Sequence, residues 1–403
     1  MNTAFKFSIF ERQMVQKKCI FVGMKRILLL LASLCFFAVT VLVCMTACHT
    51  DMPGQPGSDA YQWAVNENVK AQKKSDKVIL LVAYGSTWQQ AFDAYDATVE
   101  AYKKAFPSYD VFLAFSSSIC INRAAAGENA ADGAEIRNYY APSRWLTAFA
   151  QKGVRYSEIV IQSLQVTRNK AYTQVTDCIK DFATNVSGDI DKDYLSQVKL
   201  KLGVPLLSED YSDVGALARA LNALYKEQAA TDVVVFMGHG NPDDYDTFGD
   251  NVRYTQLEET LHALSPQYFV GTKDMMGNFK TDVYKRIAAA GLNTGTRKLY
   301  LHPLLAVDGS IGHVDLAGDD VPEVFEGKSY TFADLLAEAG DDGDVEDCSW
   351  KKFFGAPGSG FTCDNSTLIE KGLLELPTVR ELWINHTQAA IQGVPLMYET
   401  ITD

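Results

Sequence analysis

A surplus of basic charge is what this 403-residue sequence most plainly lacks. Lys and Arg number 37 against 50 Asp and Glu, a net charge of −13. No basic stripe offsets the deficit, which argues against a general nucleic-acid binder. A small anionic ligand held by a few local Arg or Lys stays compatible with it. The sequence also lacks any C-x-x-C pair among its 8 cysteines, which argues against a cysteine zinc site. Cys19, Cys35, Cys44 and Cys48 lie at the N-terminus; Cys120, Cys178, Cys348 and Cys363 lie in the body. Cys348 and Cys363 are candidates for a disulfide, on a spacing that by itself decides nothing.

The N-terminus reads as an export signal rather than fold. Lys25-Arg26 precedes an almost wholly apolar run from Ile27 to Val43, and Thr46-Ala47 leads into Cys48. A basic start, an apolar core and a small-residue exit make a secretory signal. Small residues before a cysteine resemble a bacterial lipoprotein processing site, with Cys48 lipidated after cleavage. Met24 is a candidate initiator, because residues 1–23 resemble no standard n-region. Residues 1–48 are thus read as signal and 49–75 as a tether, Gly-, Pro-, Ser- and Asp-rich from His49 to Asp59. The protein is expected outside the cytoplasm, on the periplasmic or cell-surface side, held to a membrane by that lipid. A plain cleaved signal and an uncleaved anchor helix remain the alternatives.

The body alternates strand and helix patterns, which predicts an α/β fold with parallel sheets. Val78 to Tyr84 is an apolar run ending in Gly85-Ser86-Thr87. A helix is expected from about Trp88 to Phe106, with Phe92, Tyr95, Val99, Tyr102 and Phe106 on one face. Strands follow at Asp110 to Phe115 and Ile159 to Leu164. Length suggests about two domains, read as an N-terminal lobe over 76–198 and a C-terminal lobe over 199–392. The second lobe is expected to open near Lys199-Leu200, with a helix over Val214 to Glu227. Strands are expected at Val233 to Met237 and Lys298 to Val307, and helices over Gln256 to Leu264, Asp282 to Ala290 and Thr378 to Ile391. An acidic, loop-like stretch from Asp315 to Asp347 includes an insertion over 321–347; residues 393–403 form a tail.

Val233-Val234-Val235-Phe236-Met237-Gly238-His239-Gly240 is the most informative stretch. An apolar run bounded by glycines reads as a buried parallel strand. Ligand sites in such sheets lie past the carboxyl ends of the strands, which is where His239 falls. Each half therefore opens on an apolar strand and a glycine turn, at Gly85 and at Gly238. Two similar lobes facing a cleft are predicted.

In order along the chain, these pieces resemble the anaerobic sirohydrochlorin cobaltochelatases, a branch of the class II chelatases related in fold to ferrochelatase. The resemblance rests on Val78 to Thr87, Ala105 to Val111, Ala114 to Ser117, Ile161 to Val166, Phe236 to Gly240, His302 to Val307, Asp315 to Asp320 and Ser349 to Lys351, over about residues 76–392. It implies a chelatase-like cleft holding a tetrapyrrole, with histidines binding a divalent metal and accepting pyrrole protons, helped by a carboxylate. The metal is substrate, Co2+ or alternatively Fe2+, and no organic cofactor is implied. His239 matches the family's Gly-His-Gly histidine. Read without gaps, Ile311 holds the position of a second histidine and His313 lies two residues on; His239 and His313 are the expected catalytic and metal-binding pair. Gly85, Ser86, Gln162 and Gly238 are assigned to tetrapyrrole binding. The resemblance expects a glutamate within Thr167 to Tyr172, where Ala171 stands and no carboxylate is available. Gln165 stands where a histidine is common. Arg123 and Arg168 are candidates to pair with substrate carboxylates, against a reading as plain surface charges. A homo-oligomer is compatible with all of this. The alternative function is an exported, non-catalytic lipoprotein that holds haem, another tetrapyrrole or a metal.

Overall fold

The computed structural model describes residues 58–127, 135–207, 211–295, 297–318, 329–340 and 343–393. The stretch read as signal and tether, up to residue 57 and including Cys48, and residues 394–403 lie outside them. Two four-stranded sheets organise the chain. The first takes β1 (Lys77–Ala83), β2 (Asp110–Phe115), β3 (Glu158–Ser163) and β4 (Lys199–Gly203), in the order β2-β1-β3-β4. The second takes β5 (Val233–Gly238), β6 (Tyr268–Thr272), β7 (Arg297–Pro303) and β8 (Phe361–Thr362), in the order β6-β5-β7-β8. Every strand pairing is parallel. The two orders are the same with four added to each strand number, so β1 and β5 correspond. Gly85 and Gly238 stand at the carboxyl ends of these two central strands, as expected.

Parallel pairing follows from the sequence. Central strands of such sheets are covered on both faces, and β1 and β5 are buried from Val78 to Ala83 and throughout Val233–Gly238. Helices supply the cover. Helix α1 (Ser58–Gln72) packs on α4 (Pro142–Phe149) across the outer face of the first sheet. Helix α2 (Gln89–Ala105) buries Phe92, Tyr95 and Tyr102, and Phe106 is buried at its C-cap, four of the five residues its apolar stripe predicted. Helix α3 (Ser118–Ala126) follows β2, and α5 (Lys170–Ala183) follows β3. In the second lobe, α6 (Tyr211–Tyr225), α7 (Val252–His262) and α8 (Lys280–Ala289) stand between the strands. One hydrophobic core runs between the sheets, joining Ile79, Phe92 and Phe115 to Val234, Phe236 and Leu304. Each lobe has a further core on its other face.

Three sequence expectations change here. Residues 58–72, read as part of a tether over 49–75, form helix α1, whose Val65 and Val69 are fully buried in the outer core of the first lobe. Residues 199–203, read as opening the second lobe, hydrogen-bond in parallel to β3 with Glu158 opposite Lys199, and so form an edge of the first sheet. An isolated apolar strand carries no mark of its partner, so its pattern fits either lobe. The stretch from Asp315 to Asp347 is also less loop-like than its composition suggests. It begins inside a π-helix (Ile311–Leu316) and includes helix α9 (Phe332–Ala337), which opens with a capping box between Thr331 and Asp334. Residues 319–328 and 341–342 of it lie outside the described residues. Helix α10 (Trp350–Gly355) then precedes β8. The last helix, α11 (Pro377–Gln392), returns to the first sheet and packs on β3 and β4. Cys363 is a free thiol buried in the second lobe, so no 348–363 disulfide forms.

Candidate functional site

His239 follows β5 directly and keeps part of its ring in solvent, the side chain being 45% exposed. The backbone beneath it is fixed. Gly240 adopts φ +72°, a left-handed conformation that favours glycine, and a Cβ there would lie 2.9 Å from the Met275 backbone nitrogen. Asp274 N–H donates to the His239 carbonyl at 2.8 Å, and Lys273 N–H donates to the Gly238 carbonyl at 3.0 Å. The turn after β6 is thereby laced to the turn after β5.

This lacing sets the chemistry of the imidazole. Nδ1 of His239 lies 2.9 Å from the Gly240 carbonyl oxygen and 3.3 Å from Oδ2 of Asp274. Both neighbours are acceptors, so Nδ1 carries the proton and donates it. In the neutral ring that leaves the Nε2 lone pair available to a metal. A histidine held through its other nitrogen by carbonyl and carboxylate is the usual outer-shell arrangement of metal-binding imidazoles. A carboxylate thus stands beside His239, although none lies within Thr167 to Tyr172. Asp274 was not legible as a site residue, because only the β5–β6 pairing brings its turn beside His239.

His313 lies in the π-helix after β7, the neighbour of β5 on its other side. Single-turn π geometry is rare and frequent at functional sites. The imidazole stacks on Trp88 of the first lobe, with centroids 3.6 Å apart and planes 7° from parallel. Asp315, two residues on, pairs with Lys273 at 3.0 Å, so the His313 helix is tied to the turn that carries Asp274. Among the described residues, no group of three His, Cys, Asp or Glu side chains gathers closely enough to enclose a metal ion.

The first lobe brings its own turns to this edge. Gly85 has φ +115°, and a Cβ there would sit 2.8 Å from the Phe115 ring and from Cys120. Ser86 is buried, accepts the Trp88 N–H at 3.3 Å, and has its hydroxyl against Gly309 of the second lobe. Tyr84 stays 53% exposed, as does Ile119 at 48% and, in the second lobe, Met276 at 57%. These apolar side chains flank the strand ends, where a planar apolar ligand would need them.

Most of the other polar and histidine side chains that could serve a site are packed inside the protein. Gln162 is fully buried: its amide nitrogen donates to the Ser163 and Val204 carbonyls, and its oxygen accepts from Thr387. Its amide therefore faces inward and is not offered to a tetrapyrrole. Arg168 is committed to Asp250 of the second lobe, and not to a substrate carboxylate, while Arg123 stays exposed on α3. Gln165 is buried, with no hydrogen-bond partner for its amide among the described residues. His302 is a core histidine between Tyr225 and Phe236, and burial pushes its pKa down to about 4. His386 bonds Asp213 at 3.1 Å on the helix-packing side.

Comparison with known proteins finds relatives along most of the chain. The cobalt chelatase (CbiK) family model matches residues 77–392. A sirohydrochlorin cobaltochelatase, CbiKC, from Nitratidesulfovibrio vulgaris (Hildenborough) is 24% identical over 337 residues, covering 83% of this chain and 98% of its own. The sirohydrochlorin cobaltochelatase of Salmonella typhimurium is 26% identical over 317 residues, covering 78% and 96%. The solved structure of SirB from Bacillus subtilis with Fe3+ covers 78% of this chain and 95% of its own at 14% identity, with a TM-score of 0.42.

Proposed function

The chain belongs to the cobalt chelatase family and is a metal chelatase, and we propose that its reaction is insertion of Co2+ into sirohydrochlorin at the edge where His239 stands. Fe2+ is the second metal we assign to the same site. The product would feed the anaerobic branch of cobalamin biosynthesis. The observation that carries this reading is the pinned Nδ1 of His239, between Gly240 and Asp274.

The proposed step is an exchange of one M2+ for two pyrrole protons. Nε2 of His239 delivers the metal to one face of the macrocycle. As the metal–nitrogen bonds form, the two N–H bonds break and their protons must leave. His239, once its metal has passed on, takes one at Nε2, and the imidazolium so formed is stabilised by the Asp274 carboxylate on its far side. His313 is proposed as the second acceptor. Gly85 and Gly238 are packed against Phe115 with Cys120 and against the Tyr254 ring, and Ser86 is buried against Gly309, so these three shape the turns at the strand ends and do not themselves open a face to the macrocycle.

An exported, non-catalytic binding protein is the second reading. It is favoured by the Ile27 to Val43 run, by Thr46-Ala47-Cys48, and by Ile311 at the family's second histidine position. We propose a lipid on Cys48 and a location outside the cytoplasm under either reading. Mass spectrometry of the mature N-terminus tests the lipid, and an unmodified chain beginning near Met1 or Met24 would end that proposal. Spectra of the protein with sirohydrochlorin and Co2+, and separately with haem, divide the two functions. Conversion of the free macrocycle to its cobalt complex with turnover supports the chelatase; stoichiometric binding without conversion supports the carrier.

A further inference from the structure

The loop that carries His239 is held from two sides, and one of them is the opposite lobe. Within the second lobe, Gly240 N–H donates to the Tyr254 hydroxyl at 3.4 Å, and Asn241 N–H donates to Oδ1 of Asn251 at 2.9 Å. Asn251 returns a bond from Nδ2 to the Asn241 carbonyl at 2.7 Å. Asp246 accepts from the backbone of Asp250 and Asn251 at 2.9 and 3.1 Å. From the first lobe comes Arg168, in the turn between β3 and α5. Its backbone N–H and Nε reach Oδ2 of Asp250 at 2.8 and 3.0 Å, and Nη2 reaches Oδ1 at 2.8 Å. Its carbonyl accepts from Nδ2 of Asn241 at 3.5 Å, and the neighbouring Thr167 hydroxyl lies 3.4 Å from that of Tyr254.

Asp250 is fully buried and the Arg168 side chain is 15% exposed. A bidentate guanidinium fork of this kind adds direction as well as attraction, and a buried carboxylate tolerates no loose partner. The guanidinium also lies over the Phe248 ring at 5.1 Å, and Phe248 meets Tyr172 edge to face. Asn169 caps α5 by accepting from Tyr172 N–H at 3.1 Å, so the Arg168 backbone is anchored to the first lobe.

We propose that Arg168 is a positioning residue for His239: through Asp250 and Asn241 it fastens the turn after β3 in one lobe to the histidine loop in the other, and sets where Nε2 stands relative to the facing lobe. The inference rests on the reading of His239 as the metal-contacting group. Arg168 touches neither metal nor macrocycle; it acts on the loop two residues beyond the histidine. A latch of this kind spends on geometry a cation that the sequence offers to substrate.

The test compares the full chain with Arg168→Met, Arg168→Lys and His239→Ala. Co2+ affinity is followed by visible absorption, and kcat and KM are measured with sirohydrochlorin. Arg168→Met is expected to lower both Co2+ affinity and kcat by at least about tenfold, the range seen when an outer-shell partner of a metal site is lost. KM for sirohydrochlorin is expected to move far less. Arg168→Lys, which keeps the charge without the fork, is expected to recover part of the loss. A folded Arg168→Met with wild-type Co2+ affinity and kcat overturns the latch, whatever its melting temperature. Should that variant not fold, wild-type values in Arg168→Lys overturn it equally. Wild-type Co2+ binding in His239→Ala removes the site reading itself, and the inference with it.

Discussion

Trp88 and His313 lie face to face across the two lobes, 3.6 Å between ring centroids and 7° from parallel. The indole belongs to the turn after β1 and is buried; the imidazole belongs to the π-helix after β7. A ring clamped flat on one side has lost its freedom to tip. If His313 takes a pyrrole proton, Trp88 fixes the angle at which it does so. Trp88→Ala should therefore lower kcat by about tenfold or more, the scale of a mispositioned acid–base group. It should also destabilise the fold by about 3–5 kcal/mol, as truncation of a buried aromatic does. Trp88→Phe retains a flat ring and should keep most of kcat. Steady-state kinetics beside urea denaturation separate the two effects; equal kcat in all three proteins would remove the clamp.

Asp274→Asn tests the hydrogen bonding behind His239. The amide is isosteric but brings no charge beside Nδ1 of the imidazolium that forms when Nε2 takes a proton. We expect Co2+ affinity or activity to fall about 10–100-fold. Binding isotherms for Co2+ and initial rates at one pH suffice. An Asn variant as active as the parent would mean that the carboxylate is not used.

His302 gives the protein an acid sensitivity of known sign. Its folded-state pKa, about 4, lies below the ordinary 6.5 because burial disfavours the imidazolium. As pH falls from about 6.5 to about 4, the unfolded chain takes up a proton that the folded chain refuses. Stability from this residue is thus fully present above pH 6.5 and lost on acidification through that window. The full difference is roughly 3 kcal/mol at 1.36 kcal/mol per pKa unit. His302→Phe should flatten this part of the curve, seen as a smaller fall in urea midpoint between pH 7 and pH 4.5. An unchanged fall would assign the sensitivity to other groups.

Gly240→Ala should be poorly tolerated. A left-handed φ costs a non-glycine residue roughly 1–2 kcal/mol, and the new methyl would press on Met275 and Thr272 at 2.9 Å. The variant is expected to melt lower and, because the turn must shift, to bind Co2+ less well. Loss of stability with intact Co2+ binding would show that the turn relaxes without moving His239.

Much of the architecture could be read before any coordinate. Val78 to Ala83 and Val233 to Met237 are apolar on both faces, and a continuous run of that kind belongs in a covered parallel strand. The stripe of Phe92, Tyr95 and Tyr102 named the buried face of α2. Gly238-His239-Gly240 marked the strand end that carries the candidate site. The proposed export signal rests on local sequence alone, on Lys25-Arg26, the apolar run and Cys48 in that order.

What the sequence determined by itself was whatever depends on neighbours along the chain: where strands and helices fall, which faces are apolar, and that His239 ends a central strand. Strand order and inter-lobe contact were decided only by tertiary structure. Asp274 serves His239 because β6 lies beside β5. Residues 199–203 extend the first sheet because they pair with β3. Trp88 meets His313, and Arg168 meets Asp250, because the strand ends of both sheets converge. The physical reason is that periodicity records burial, while a carboxylate, a guanidinium or an indole on a turn has no periodicity to read. Its role is set by the side chain it meets from another strand, and nothing in the local sequence names that partner.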